Sequence, residues 1–200
     1  MAKKETDHRK GPRRRGPALE RAIFEATLAE LADHGYAELS LERVATRART
    51  GNASLYRRWR HRAELVVDAL LYAVPDHDEV PDSGDVREDV LEVLRRMLGV
   101  LNGPVAEGVR GLLAESLRSP EATGRARARL IDTRQDLLLA ILRNGVARGQ
   151  VRPEAVTPRI ADVAPALIAH EFILRGRPVP DETLTAVVDE VLLPLITPRS

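Results

Sequence analysis

Residues 40–62, SLERVATRARTGNASLYRRWRHR, constrain the fold more than any other stretch of the chain. Ser40 is a good N-cap for a helix; Arg43 rather than Glu stands at the third helical position, so the reciprocal capping box is absent. Leu41, Val44, Ala45 and Ala48 follow at helical spacing and face inward. After a break at Arg49, Thr50 and Gly51 a second short helix begins, in which Leu55 and Trp59, four apart, anchor it to a scaffold. Asn52, Ala53, Ser54, Tyr56, Arg57 and Arg58 are left outward. This is the pattern of a helix-turn-helix that lays its second helix in the major groove of DNA. Small residues at the start of that helix allow close approach to base edges, where Asn pairs with adenine, Arg with guanine, and an Ala methyl meets that of thymine. Tyr56, Arg58 and Arg62 have the reach for phosphates, which fix register without specifying sequence.

Charge is distributed accordingly. The net charge is only +1, but up to Arg62 there are 15 Lys/Arg against 8 Asp/Glu, a net +7, and beyond it 16 against 22, a net −6. A basic end and an acidic body point to a polyanionic partner at the amino-terminal end; a merely solvated charge run gives the same count. Residues 1–16 contain KK, RK and RRR among Gly and Pro and nearly nothing apolar, which predicts a disordered basic arm. Arg13, Arg14 and Arg15 fit either a minor-groove contact or a solubilising tail.

Pro17 opens a predicted helix that stops near Gly35. Leu19, Ala22, Ile23 and Ala26 make one stripe, and Phe24, Leu28 and Leu31 a second, so this helix is packed on more than one side. Gly35-Tyr36, then Ser40-Leu-Glu-Arg-Val-Ala, Ser54-Leu-Tyr-Arg-Arg-Trp and Arg62-Ala-Glu-Leu-Val resemble the amino-terminal domain of the tetracycline-repressor (TetR) family of bacterial regulators. The late GVARGQVRPE and RGRPVP segments resemble a common carboxyl-terminal type of that family. The resemblance implies an all-helical homodimer: a three-helix reader over residues 17–62, then a six-helix domain over 63–200 that binds a small-molecule effector and dimerises. It implies that Ser40 touches a phosphate and that Arg62 stands where a phosphate-binding Lys is usual. Arg43 and Thr50 join the DNA-facing set. One position departs from the family: Arg49 stands where Gly is normal in the turn. A side-chain-bearing residue in the left-handed region costs roughly 1 kcal/mol, so either the strain is accepted or Gly51 helps build a different turn.

The rest of the chain predicts helices over residues 63–73, 86–101, 104–118, 120–148, 157–175 and 181–196. The 63–73 helix, with Leu65, Val66, Ala69 and Leu70 inward, connects the reader to the effector domain in the family. His77 among Asp76, Asp78 and Glu79 lies in one loop with no second cluster near it in sequence, so no metal is expected. Met97, Leu101, Leu113 and Leu117 are candidate pocket walls or plain core. Gln135 falls on the stripe of Ile131, Leu138 and Leu142, where a polar group must be hydrogen-bonded to a neighbour, water or ligand. Leu138 and His170 complete the candidate pocket, although a packed or edge histidine is the commoner case. With 3% aromatic residues, any such site is mainly aliphatic.

The last two predicted helices are apolar on more than one face, more than one monomer core needs, which points to burial against a partner. Ile160, Val163, Leu167 and Phe172 on the first, and Leu184, Val188, Val191 and Leu195 on the second, are the expected dimer contacts. The absence of cysteine excludes disulfides and thiolate chemistry. No apolar run reaches the roughly 20 residues of a membrane span, and the expectation is a cytoplasmic protein without membrane contact. Scattered histidines, no Gly-rich phosphate loop and no nucleophile elbow argue against an enzyme, and no cofactor is expected. The expected function is a ligand-responsive repressor released from a near-palindromic double-stranded DNA operator. Its rivals are a constitutive DNA binder or activator of the same fold, and a helical ligand-binding protein without DNA binding.

Overall fold

In the computed structural model, α1 (Pro17–Glu38) takes Pro17 into its first turn, where a missing N–H costs nothing, and leaves helical geometry at Gly35, whose φ of 72° favours a residue without a Cβ. The structure describes residues 16–74, 78–176 and 178–198, so the basic arm from Met1 to Arg15 and the loop histidine His77 lie outside the described residues. The described residues contain only helices and connections. α2 (Leu41–Arg47) packs on α1, α3 (Asn52–Tyr56) packs on α2, and α4 (Arg62–Ala73) leads out of this small unit. α5 (Val86–Leu101), α6 (Ala106–Arg118) and α7 (Pro120–Ala147) form the body, followed by α8 (Pro158–Ala161), α9 (Val163–Arg175), α10 (Asp181–Ala186) and α11 (Leu193–Ile196).

The predicted helices 157–175 and 181–196 are each present but interrupted, and proline is the reason in both. Pro165 has no N–H for the Ala161 carbonyl, so the rod breaks at Asp162 between α8 and α9. Pro194 would drive its ring into the Glu190 carbonyl of a regular helix. The backbone widens instead into a π-helical stretch, Val187–Leu192, that joins α10 to α11. Counted as rods, six helices follow α3 among the described residues, as the periodicity predicts.

The two apolar stripes of α1 are explained by its position: one side holds α2, the other meets α4 and α6. α6 comes unusually close because it presents glycine there. A Cβ on Gly111 would lie 2.5 Å from the Tyr36 Cβ, and one on Gly108 would lie 2.8 Å from Leu31 Cδ2. The reader is therefore seated directly on the body. Elsewhere a buried carboxylate closes the body: Asp89 of α5 accepts from the Ser83 N–H at 2.7 Å and from Arg148 at 3.1 Å, both partners lying outside α5.

Candidate nucleic-acid interface and effector cavity

The turn between α2 and α3 accepts the strain. Arg49 stands at φ 53°, while Gly51, at φ −84° and ψ 141°, is in ordinary extended geometry and takes no part in it. The left-handed residue lets the Thr50 N–H return to the Ala45 carbonyl at 3.0 Å and the Arg49 N–H to Thr46 at 3.1 Å, the double closure of a Schellman motif. Ser40 caps α2 by accepting from the Arg43 N–H at 3.3 Å.

α3 then divides into an inner and an outer face. Leu55 and Trp59 are buried, and Trp59 meets Phe24 of α1 edge-on at 5.9 Å while donating its indole N–H to Asp68 of α4 at 2.8 Å. Asn52, Ala53, Tyr56, Arg57 and Arg58 are exposed; Ser54 and Thr50 are half-buried. Among the described residues the guanidinium groups of Arg49, Arg57 and Arg60 have no partner. The Tyr56 hydroxyl donates to Glu42, which holds the Glu42 carboxyl below the ordinary carboxylate range and pushes the Tyr56 hydroxyl up.

Two of the arginines that the sequence assigns to DNA are placed in structural roles. Arg43 donates to Glu30 at 2.8 Å, and Arg47 meets the same buried carboxylate at 3.0 Å and Asp33 at 2.5 Å, fastening α2 to α1. Arg62 lies 4.6 Å over the Tyr36 ring, donates to the carbonyls of Ala37 and Leu39 at 3.2 and 3.3 Å, and reaches Glu115 of α6 at 3.3 Å. Arg58 faces Glu20 at the looser distance of 3.6 Å. Sequence reading missed Glu30 and Glu115, because nothing local marks a carboxylate as the partner of an arginine 13 to 53 residues away.

In the body, α4, α5, α6, α7 and α9 line a partly open cavity of about 160 Å³. Met97, Leu101 and Leu113 line it, and among the described residues its only polar lining residues are Arg96, Thr133 and Arg134. Arg134 pairs with Asp162 at 3.1 Å, but its Nε–H is buried without a partner among the described residues. The other four expected pocket residues lie elsewhere. Leu117 is 84% exposed on the outside of α6, and Leu138 is buried in the core away from the cavity. Gln135 is satisfied by Asp162 at 2.9 Å, and His170 is exposed on the outer face of α9.

The expected dimer residues also separate. Leu167 and Leu195 are exposed, and Ile160, Val163 and Val191 half-buried. Phe172, Leu184 and Val188 are fully buried within the protomer, and Phe172 is a cavity wall with Arg110 stacked 4.3 Å over its ring. A helix with two apolar faces gives one of them to its own core, and these three side chains are on it.

The amino-terminal unit matches the model of bacterial regulatory proteins of the tetR family over residues 23–69, and the body matches the tetracyclin repressor-like carboxyl-terminal domain over residues 80–191. The chain belongs to the TetR family. An HTH-type transcriptional regulator of Mycobacterium tuberculosis is 32% identical over 178 residues, covering 89% of this chain and 88% of the relative. A DNA-binding transcriptional repressor TetR of Mycobacteroides abscessus is 31% identical, covering 92% and 97%. The crystal structure of the TetR family transcription regulator SCO0332 superposes with a TM-score of 0.75 at 28% identity, covering 90% and 99%. As a TetR-family member the chain is a helix-turn-helix transcriptional regulator. No helix among the described residues is long and apolar enough to cross a membrane.

Proposed function

We propose that this TetR-family regulator is a homodimeric repressor that reads a near-palindromic operator with α3 and is released when a small aliphatic molecule fills the cavity. One observation carries the ligand response: the helices that wall the cavity are the helices that hold the reader. Leu70 and Leu71 of α4 and Val109 and Leu113 of α6 face the cavity, while Arg62 of α4 and Glu115 of α6 grip each other beside Tyr36. A ligand that spreads α4 from α6 changes the seat of α1, and hence the spacing of two readers related by a two-fold axis. It acts only by binding the released state more tightly than the DNA-bound one.

The lining sets the effector's chemistry. Aliphatic walls favour a hydrocarbon body, and the unpartnered Arg134 Nε–H favours one acceptor oxygen on it. The dimer would use the exposed remainder of the expected set, Leu167 and Leu195 with the half-buried Ile160, Val163 and Val191 around them.

A fluorescence-anisotropy titration against the DNA upstream of its own gene, over a series of salt concentrations, tests the reading. Tight, salt-sensitive binding that prefers this DNA over random duplex is expected; equal affinity for both, or none, overturns it.

A further inference from the structure

Residues 124–129 of α7 read GRARAR, a basic run within a body whose net charge is −6. Arg125 and Arg129 are four apart, share a face and are both exposed. Like charges at this spacing repel along a helix, so the pair works against the fold that carries it. The two arginines line one concavity with Arg57, Arg58 and Arg60 of the segment that follows α3, next to Tyr56.

Two carboxylates also line this concavity, and both are engaged. Glu64 accepts the Arg60 backbone N–H at 2.8 Å, and Asp68 accepts from the Trp59 indole at 2.8 Å and from Arg129 at 3.3 Å. Five guanidinium groups therefore face two carboxylates. The guanidinium groups of Arg57, Arg60 and Arg125 have no partner among the described residues.

We infer that Arg125, with Arg57 and Arg60, forms a phosphate-binding shelf through which the effector domain itself holds the DNA backbone. The inference rests on the operator-binding function proposed above and extends its footprint beyond the helix-turn-helix. The occupant is duplex DNA, because the concavity is continuous with the exposed face of α3, shares Tyr56 with it and carries an excess of guanidinium groups. Phosphate contacts carry no base information, so the shelf adds affinity and register equally on every sequence. It also lies one helical turn from the cavity: Leu130, Thr133 and Arg134 follow Arg129 on α7 and line that space. A ligand that shifts α7 would move the shelf together with the reader.

The test is Arg125→Ala in the full-length protein, with Arg143→Ala as the control. Arg143 is exposed on the same helix, well away from the reader, and its loss changes the net charge equally. Both are surface changes to a good helix former, so both variants fold. For R125A, affinity is expected to fall by about tenfold on operator and on random duplex alike. The log–log salt slope should become shallower by roughly 0.9 per protomer, about two for a dimer on both half-sites. R143A should match wild type in both. If R125A binds like R143A, or loses affinity for the operator alone, the shelf is overturned. If wild type itself shows no specific DNA binding, the failure lies instead with the proposed function.

Discussion

The guanidinium of Arg62, on the first turn of α4, meets the Glu115 carboxylate of α6 at 3.3 Å while lying 4.6 Å over the Tyr36 ring. One side chain thus joins the end of α1, the start of α4 and the last turn of α6. Both partners are partly buried, which raises the pair above an ordinary surface bridge. In a double-mutant cycle of R62A and E115A on urea unfolding, a coupling of about 1 kcal/mol is expected. If Arg62 served DNA alone, the two substitutions would be additive and E115A would leave stability unchanged.

Tyr56 is the exposed aromatic of α3, and its hydroxyl donates to Glu42 when no DNA is bound. On the operator that hydroxyl is expected to turn to a phosphate, a hydrogen bond to a charged group with a contribution of about 1.5–3 kcal/mol. Tyr56→Ala should therefore weaken operator binding by roughly tenfold or more, and sedimentation should show an unchanged dimer. Unaltered affinity would mean that α3 is not the reading helix.

Arg49 holds φ 53° with no partner for its side chain among the described residues. Glycine adopts that conformation without the steric cost. Arg49→Gly is expected to stabilise the protein by up to about 1 kcal/mol, a rise of roughly 2–4 °C in the thermal midpoint for a chain of this size. A fall in midpoint would show that the arginine makes a stabilising contact that outweighs the strain.

The helix order was legible in the sequence because its signals are local. Ser40, Asp85 and Thr157 each accept a backbone N–H as N-caps, and Gly35, Gly149 and Gly176 each take positive φ where a helix stops. What the sequence hid is tertiary. That Arg43 and Arg62 also fasten the fold was not legible, because their carboxylates, Glu30 and Glu115, lie 13 and 53 positions away. Gln135 looked like a pocket residue until Asp162 supplied its partner, and Arg134, its neighbour in sequence, proved to line the cavity instead. Periodicity shows that a helix has two apolar faces but not which one its own core takes.

Asp189, in the π-helical stretch, receives Arg87 of α5 at 2.6 and 2.9 Å, and this hydrogen bonding holds its carboxyl below the ordinary value of 3.8. A carboxyl depressed in the folded state contributes its full stability above its unfolded value and loses it as pH falls through the folded one. Asp189→Asn should accordingly lower the urea midpoint at neutral pH, and the wild-type and variant curves should converge as pH drops below about 4. A gap that stays constant into that acid range would assign the loss to packing rather than to the ion pair.

Leu167 of α9 and Leu195 of α11 are exposed leucines, whereas Leu184 and Val188, from the same run of sequence, are sealed inside the protomer. In a two-fold interface each substitution is felt twice, and a fully buried leucine is worth about 1.5–3 kcal/mol. Leu167→Glu combined with Leu195→Glu should therefore raise the dimer dissociation constant by at least about a hundredfold, with helical circular dichroism preserved. Leu184→Glu acts on the other face and should cost the fold itself, because it buries a charge with no partner. Sedimentation velocity separates the two outcomes: a folded monomer from the first variant, aggregate or unfolded chain from the second. A double variant that remains dimeric would move the interface away from α9 and α11.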